Sequence, residues 1–149
     1  MLKQLEDNPR VHGYISPETE TRQSKIEGLG LFAKKTIRSG VVVAAWGGRV
    51  TTVAEVRKLP KHIGYNYALE FYPGFYLAER SQKELDSSDF INHSCSPNCK
   101  IIDTLIMITR RSIKRGEELT TDFSNHTKRG KKFICNCGAK NCKGTIYYD

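Results

Sequence analysis

Between Asp89 and Cys99 the chain reads Asp-Phe-Ile-Asn-His-Ser-Cys-Ser-Pro-Asn-Cys, which gathers amide, imidazole and thiol groups into eleven residues. Serine and proline punctuation predicts a fixed loop there rather than a regular helix or strand. Three further cysteines crowd into Cys135-Asn136-Cys137-Gly138-Ala139-Lys140-Asn141-Cys142, a run whose glycine and lysine residues suit the tight turns of a thiolate metal site. Three thiolates do not close a tetrahedral zinc site, so a fourth has to come from Cys95 or Cys99. The single residue between Cys135 and Cys137 is a shorter spacing than zinc sites commonly use. His93 beside Cys95 also suggests a cysteine nucleophile. Neighbours on one loop rarely face each other, however, and a zinc-bound thiolate is not available to attack.

These groups have to be positioned by the rest of a short chain. At 149 residues there is room for one domain with a core of its own, and 38% hydrophobic residues with six Phe and seven Tyr suffice to build it. From Ser24 onward, short apolar segments alternate with Gly, Pro and Asn at a spacing that predicts a mainly β domain. Strands are expected over Leu29 to Ile37 and Val41 to Val50. Hairpins are expected from Tyr67–Phe71 with Phe75–Ala78 and from Cys99–Ile102 with Leu105–Thr109, followed by a last strand over Glu118 to Phe123. Thr52-Val53-Ala54-Glu55 has the capping-box form and opens a helix from Thr52 to Leu59, which Pro60 stops. Residues 1–21 are polar and without periodicity, and read as a tail or a loosely docked arm.

Composition narrows the function classes. The longest apolar run, Val41 to Trp46, is too short to span a bilayer, and the start lacks the apolar core of a signal peptide. A soluble, intracellular protein, cytoplasmic or nuclear and without membrane contact, is expected. Five cysteines, an odd number, fit a disulfide framework poorly. The formal charge of +8 peaks locally at Lys128-Arg129-Gly130-Lys131-Lys132, with Lys140 and Lys143 nearby. Such a peak suits phosphate or an acidic surface as well as plain solvation, and steeply salt-dependent DNA binding would be its signature. No base-reading motif accompanies it, so nucleic acid is not expected as the primary ligand.

Five segments follow one another in a telling order: Gly28-Leu29-Gly30-Leu31-Phe32-Ala33, Tyr67-Ala68-Leu69-Glu70-Phe71, Phe90-Ile91-Asn92-His93-Ser94-Cys95-Ser96-Pro97-Asn98, Gly116-Glu117-Glu118-Leu119-Thr120-Thr121-Asp122-Phe123, and Cys135-x-Cys137-x₄-Cys142. Over about residues 22 to 146 they resemble the SET-domain protein-lysine methyltransferases with a post-SET zinc tail. The resemblance implies a SET-domain fold of small curved sheets with few short helices, in which the strand up to Phe123 and the central loop make a knot-like crossing fixed by Pro97-Asn98. It divides the chain into an arm at 1–21, a SET domain at 22–127 and a zinc-binding tail at 128–149. It selects Cys95, over Cys99, to complete one structural zinc site with Cys135, Cys137 and Cys142. It further implies S-adenosylmethionine as cofactor, held at Gly28, Leu29, Gly30, Asn92 and His93, the last through its backbone.

The implied reaction is methyl transfer to a lysine, an in-line displacement that needs a neutral amine from a group whose ordinary pKa is ~10.4. A narrow apolar channel favours the neutral form, and oxygen acceptors steady the polarised methyl group. The resemblance assigns one such oxygen to Tyr67 and another to the position of Phe123, where the family usually has tyrosine and the hydroxyl is absent. Thr121 stands where a Phe or Tyr usually sets how many methyl groups fit, so the channel has extra room for water, a methylated lysine, or a ring from Tyr65, Tyr147 or Tyr148. Asp89 replaces a frequent arginine, while Phe133, Thr145 and Ile146 are placed to close the pocket once zinc orders the tail. The function expected is a protein-lysine N-methyltransferase with an atypical active site, the alternative being a catalytically impaired SET module that binds cofactor or peptide for recruitment. The partner is a protein or peptide presenting a lysine, such as a histone-like tail, drawn to a groove made acidic by Glu70, Glu79, Glu84, Asp86 and Asp89.

Overall fold

In a computed structural model, which describes residues 10–60, 67–124 and 132–147, short apolar runs form thirteen strands and little helix. One sheet has the order β1 (Tyr14–Ile15), β4 (Val42–Ala45), β10 (Ile106–Thr109), β9 (Cys99–Ile102). A second has the order β2 (Thr19–Gln23), β3 (Leu29–Ala33), β11 (Glu118–Thr121), β8 (Asn92–His93). Leu31 and Ala33 of β3, Val43 and Ala44 of β4, Met107 of β10 and Leu119 of β11 share one buried core with Ile37, Ile91, Cys99 and Ile113. The third sheet, β5 (Arg49–Thr52), β7 (Phe75–Ala78), β6 (Leu69–Tyr72), carries a smaller cluster of Val56, Ala68, Tyr76 and Ala78. β12 (Lys132–Ile134) and β13 (Thr145–Tyr147) pair with each other at the C-terminal end.

Both predicted hairpins form, with Phe75 opposite Tyr72 and Ile106 opposite Ile102. The second turn has no glycine, and Asp103 and Thr104 take left-handed φ values of 46° and 68°, a conformation that disfavours a β-branched residue. Other expectations need correction. Tyr14–Ile15 pairs with β4, Thr19–Gln23 pairs along all of β3, and Arg10 is ion-paired to Glu79, so residues 10–21 are sheet edge and not an arm. Strand alternation was missed there because an edge strand shows water most of its side chains. Residues 1–9 lie outside the described residues. The first predicted strand stops at Ala33, and Ile37 bridges separately to Ile113. The second breaks at Trp46-Gly47-Gly48, where residues 11–13 cross so closely that a Cβ on Gly47 would strike the Val11 carbonyl. The helix is a single α turn, α1 (Val53–Val56), with the capping box between Thr52 and Glu55 present and tighter turns running on to Leu59.

Candidate functional site

The central loop is held against β11 by its own polar groups. Asn92–His93 forms a short strand, β8, parallel to Thr120–Thr121, so the expected loop is regular at that point. Beyond it the Ser94 N–H donates to Thr121 O, and Asn98 then takes over the role of a strand. The Asn98 side chain, 6% exposed, donates from Nδ2 to Glu118 O at 2.8 Å and accepts at Oδ1 from the Thr120 N–H at 2.9 Å. An amide has one donor end and one acceptor end, so it satisfies two groups of an edge strand at once. The expected crossing is built on this residue.

His93 faces inward. Its Nδ1 accepts the Phe123 N–H at 3.1 Å, which places the proton of the neutral ring on Nε2, 3.5 Å from Cys95 Sγ. Burial lowers its pKa below the ordinary histidine value, against the nearby Asp122 carboxylate, which raises it. Its ring meets Phe133 edge-on at 5.2 Å between centroids. Histidine and cysteine do face each other here, contrary to the expectation from their closeness in sequence, because β8 ends between them and the chain turns. Asn92 donates from Nδ2 to Glu27 O, Leu29 O and Glu118 Oε1 at 3.1, 3.0 and 2.8 Å. The loop is thereby tied to the Gly28-Leu29-Gly30 segment. Gly30 itself is buried, and a Cβ there would collide with the Glu118 carboxylate.

A cavity of about 460 Å³ opens beside these residues. That volume falls within the roughly 300–1,000 Å³ typical of small-molecule sites. Glu27, Gly28, Leu29, Asn92 and His93 line one part of it, and Trp46, Tyr67, Phe90, Phe123 and Phe133 supply aromatic wall. Phe123 meets Trp46 edge-on, and Tyr67 meets Phe90 edge-on. Among the described lining residues, hydroxyls belong only to Tyr67 and Ser88, and Ser88 gives its proton to Asp86. Burial, with the charges of Asp89 and Glu27 adding to it, raises the Tyr67 phenol above its ordinary pKa, so it stays protonated. Burial also pushes Asp89 up to about 7, against the hydrogen bond it accepts from the Asp86 N–H.

Thr121 and Gly30 are not brought to the cavity wall. Thr121 is 1% exposed and packed inside as the last residue of β11, whereas Phe123, beyond the end of the strand, reaches the cavity wall. Of the five acidic residues expected in a groove, Glu70 and Asp89 line the cavity, whereas Glu79, Glu84 and Asp86 lie in ion pairs with Arg10 and Arg49. Phe133 reaches the cavity, while its cross-strand partner Ile146 is buried and Tyr147 is exposed. Tyr65, Tyr148 and the basic residues 128–131 lie outside the described residues. Sequence reasoning missed Trp46, whose indole N–H donates to Ser88 O and fixes its ring in the wall. The following Gly47-Gly48 pair, which marks a close backbone crossing, was the available signal.

The four cysteines Cys95, Cys135, Cys137 and Cys142 come together with all sulfurs within 4.8 Å of one another. Zinc–sulfur bonds of ~2.3 Å in a tetrahedron put sulfurs ~3.8 Å apart. Cys95 and Cys135 stand at 3.8 Å, so the thiols fit one zinc ion. Backbone N–H groups of Cys95 and Lys143 point at the sulfurs of Cys137 and Cys95, and Asn141 Nδ2 donates to Cys95 O, fastening the tail to the loop. Burial pushes Cys135 up to about 12, and against the same burial the N–H groups of Cys95 and Ala139 hold Cys137 down at about 6. Cys99 is instead wholly buried in the main core, and burial drives its thiol up to about 12. It is packing, not a ligand.

Comparison with known proteins gives a consistent set of likenesses. The SET domain family model matches residues 28–124. The chain is 33% identical over 135 residues to "Histone-lysine N-methyltransferase trr" of Drosophila melanogaster, covering 81% of this chain and 5% of that protein. Against "Histone-lysine N-methyltransferase 2B" of Homo sapiens it is 33% identical over 132 residues, again covering 81% of this chain and 5% of that protein. The chain thus spans about a twentieth of the length of these relatives. Among solved structures, KRYPTONITE in complex with mCHG DNA and SAH superposes with a TM-score of 0.67 at 25% identity, over 87% of this chain and 29% of that one.

Proposed function

The chain belongs to the SET-domain family, and we propose that it is a protein-lysine N-methyltransferase whose lysine channel relies on one tyrosine hydroxyl where two are usual. The observation that carries this reading is the junction itself. One cavity is bounded by the Gly28-Leu29 backbone, Asn92, His93 and Tyr67, and the cysteine cluster fastens Phe133 of the tail against the same wall. A structural neighbour holds SAH, the product left when S-adenosylmethionine gives up its methyl group. Bound in this cavity, S-adenosylmethionine would supply an electrophilic methyl on sulfur.

The chain's own residues would do the rest. Gly28 and Leu29 offer backbone groups unobstructed by a bulky side chain at one end, and Asn92 offers a fixed amide. Trp46, Phe90 and Phe123 exclude water, and that desolvation favours the neutral amine of a lysine over its ammonium. Tyr67 keeps its proton and presents its oxygen as the acceptor available to a polarised methyl or to the amine. Glu27 and Glu70 give the lining of the cavity negative character, which reconciles a chain of net charge +8 with a basic, histone-like peptide. The zinc site holds the tail in place and takes no part in the transfer.

Phe123 favours a second reading, a module that binds cofactor or peptide without turnover, since the cavity wall has no hydroxyl at that point. Methyl transfer from labelled S-adenosylmethionine to a lysine peptide library separates the two. The enzyme reading expects measurable turnover by the zinc-loaded protein and a loss of ~10²–10³ in kcat for Tyr67→Phe. Activity confined to Phe123→Tyr would refute it and leave the recruitment module.

A further inference from the structure

Folding assembles a basic cluster that no local run of the sequence displays. Residues 34–40 follow β3 and residues 110–117 lead into β11; between them they hold seven lysines or arginines and one carboxylate, Glu117. The two segments lie side by side. Ile37 and Ile113, both buried, exchange backbone hydrogen bonds at 2.9 and 2.8 Å, the Gly40 N–H donates to Thr109 O, and the Gly116 N–H donates to Ala33 O. With that apolar pair buried, Lys34, Lys35 and Arg38 on one segment and Arg110, Arg111, Lys114 and Arg115 on the other are all exposed on a fixed backbone. Lys35 is paired to Glu18 and Arg111 to Glu117; the other five cations have no carboxylate at ion-pairing distance among the described residues. The cluster lies at the far end of the strands from the cavity. β3 begins at Leu29 in the cavity lining, and Lys34 follows about 16 Å further on at the ~3.3 Å rise of a strand residue, while β11 starts beside Phe32 and leads toward Phe123.

Uncompensated cations on a fixed backbone suit a polyanion, and the surroundings narrow which one. A protein partner or a membrane surface would seat apolar side chains at the centre of the contact, and none of the large exposed hydrophobic residues falls in either segment. A single strand would need aromatic rings on which to stack its bases, and residues 34–40 and 110–117 contain none. Phosphates of a duplex need neither, because lysine and arginine contacts to them supply affinity without reading sequence. We propose that residues 34–40 and 110–116 form a sequence-independent docking surface for the phosphate backbone of a nucleic-acid duplex, at the end of the domain opposite the cavity. A duplex held there leaves the cavity open. The surface stands whether or not that cavity transfers methyl groups.

Fluorescence anisotropy of a labelled DNA duplex, titrated with the zinc-loaded full chain over a series of salt concentrations, tests this. Five phosphate contacts predict a slope of about −4.5 for log K against log salt, roughly a 500-fold loss between about 50 and 200 mM, and two duplexes of different base composition should agree within about twofold. Neutralising Arg38, Arg110 and Arg115 together (R38Q, R110Q, R115Q) should bring the slope to about −2 and weaken binding at least about tenfold at low salt, with the melting temperature showing that the fold is kept. Should the triple variant not fold, Lys114→Gln with Arg115→Gln carries the same comparison, with the slope falling in magnitude by about 2. A parent protein that does not bind the duplex, or a variant that binds it with the parent's slope, would overturn the proposal. So would a single strand of the same length bound more tightly than the duplex, or polyglutamate competing as well as the duplex, which would make the partner an acidic protein. Loss of binding on neutralising Lys128, Arg129, Lys131 and Lys132 instead would assign the contact to that run and overturn it equally.

Discussion

Replacing Asn98 by aspartate changes one N–H₂ group into an oxygen and leaves size and shape alone, so it isolates the hydrogen-bonding role of the crossing. The Thr120 N–H keeps its acceptor, but the second carboxylate oxygen then faces the Glu118 carbonyl, 2.8 Å from where Nδ2 now donates. The variant loses a bond of ~1 kcal/mol net and strands a buried carbonyl at a further ~1–3 kcal/mol, together about 3 kcal/mol. At this chain length that corresponds to a fall in melting temperature of roughly 6–12 °C. The loss has a pH signature. A carboxyl that can donate only when protonated has a folded pKa raised above its unfolded value of ~3.9, so the folded state binds the extra proton and stability declines as pH rises from there. Urea denaturation should therefore find Asn98→Asp weakest near pH 8 and partly restored near pH 5, relative to the parent protein at each pH. A penalty under ~1 kcal/mol at pH 8, or one that does not change with pH, would refute the assignment of Asn98 as the rivet of the crossing.

The same reasoning yields three shorter predictions. Protein purified without chelator should carry about one equivalent of zinc; removing it, or Cys95→Ser, should expose residues 132–147 to proteolysis ahead of the rest, and unchanged cleavage would argue against the zinc site. Asp89, pushed up to about 7 by burial, holds a proton in the fold that the unfolded chain gives up above pH ~4. Its contribution therefore weakens the fold progressively from that pH to about 7, and Asp89→Asn should flatten the pH dependence of the melting temperature across this window; an identical profile would show that the carboxyl titrates normally. Thr104→Gly relieves a left-handed β-branched residue at a hairpin tip, and should stabilise the protein by ~1 kcal/mol in urea; destabilisation would mean that the turn is not the strained one described.

Much of this site was legible in the sequence because its parts are local. Thr52 and Glu55 form the capping box that their spacing predicts, and two hairpins meet at the turns marked by Pro73-Gly74 and Asp103-Thr104. The thiol cluster was legible for the same reason, three of its members lying within eight residues. What could not be read was set by which elements pair across long separations. Residues 14–21 look like a polar tail because their pairing partners, β3 and β4, cover only one edge of each strand. Thr121 looks like a channel residue until the parallel pairing of β8 with β11 fixes which side chains of that strand turn inward. Trp46 and Glu118 carry no periodic or spacing signal, since their roles arise from the Ser88 carbonyl in one case and from Ser24 and Asn92 in the other.

The distribution of hydrogen bonds in the loop decides what kind of catalyst this cavity can be. Asn98 spends both ends of its amide on β11, His93 spends Nδ1 on the Phe123 N–H and turns Nε2 to Cys95, and Asn92 spends Nδ2 on Glu27, Leu29 and Glu118. A loop so rich in titratable and polar groups therefore commits most of them internally, leaving Asp89 as its titratable carboxyl in the cavity lining. His93, Asn92 and Asn98, so engaged, offer a substrate neither a strong base nor a nucleophile. Methyl transfer needs neither once the amine has been desolvated; it needs two reactants held in line by groups that do not move. On the proposed reading the loop's internal bonds supply that rigidity, and one hydroxyl at Tyr67 has to suffice where Phe123 offers none.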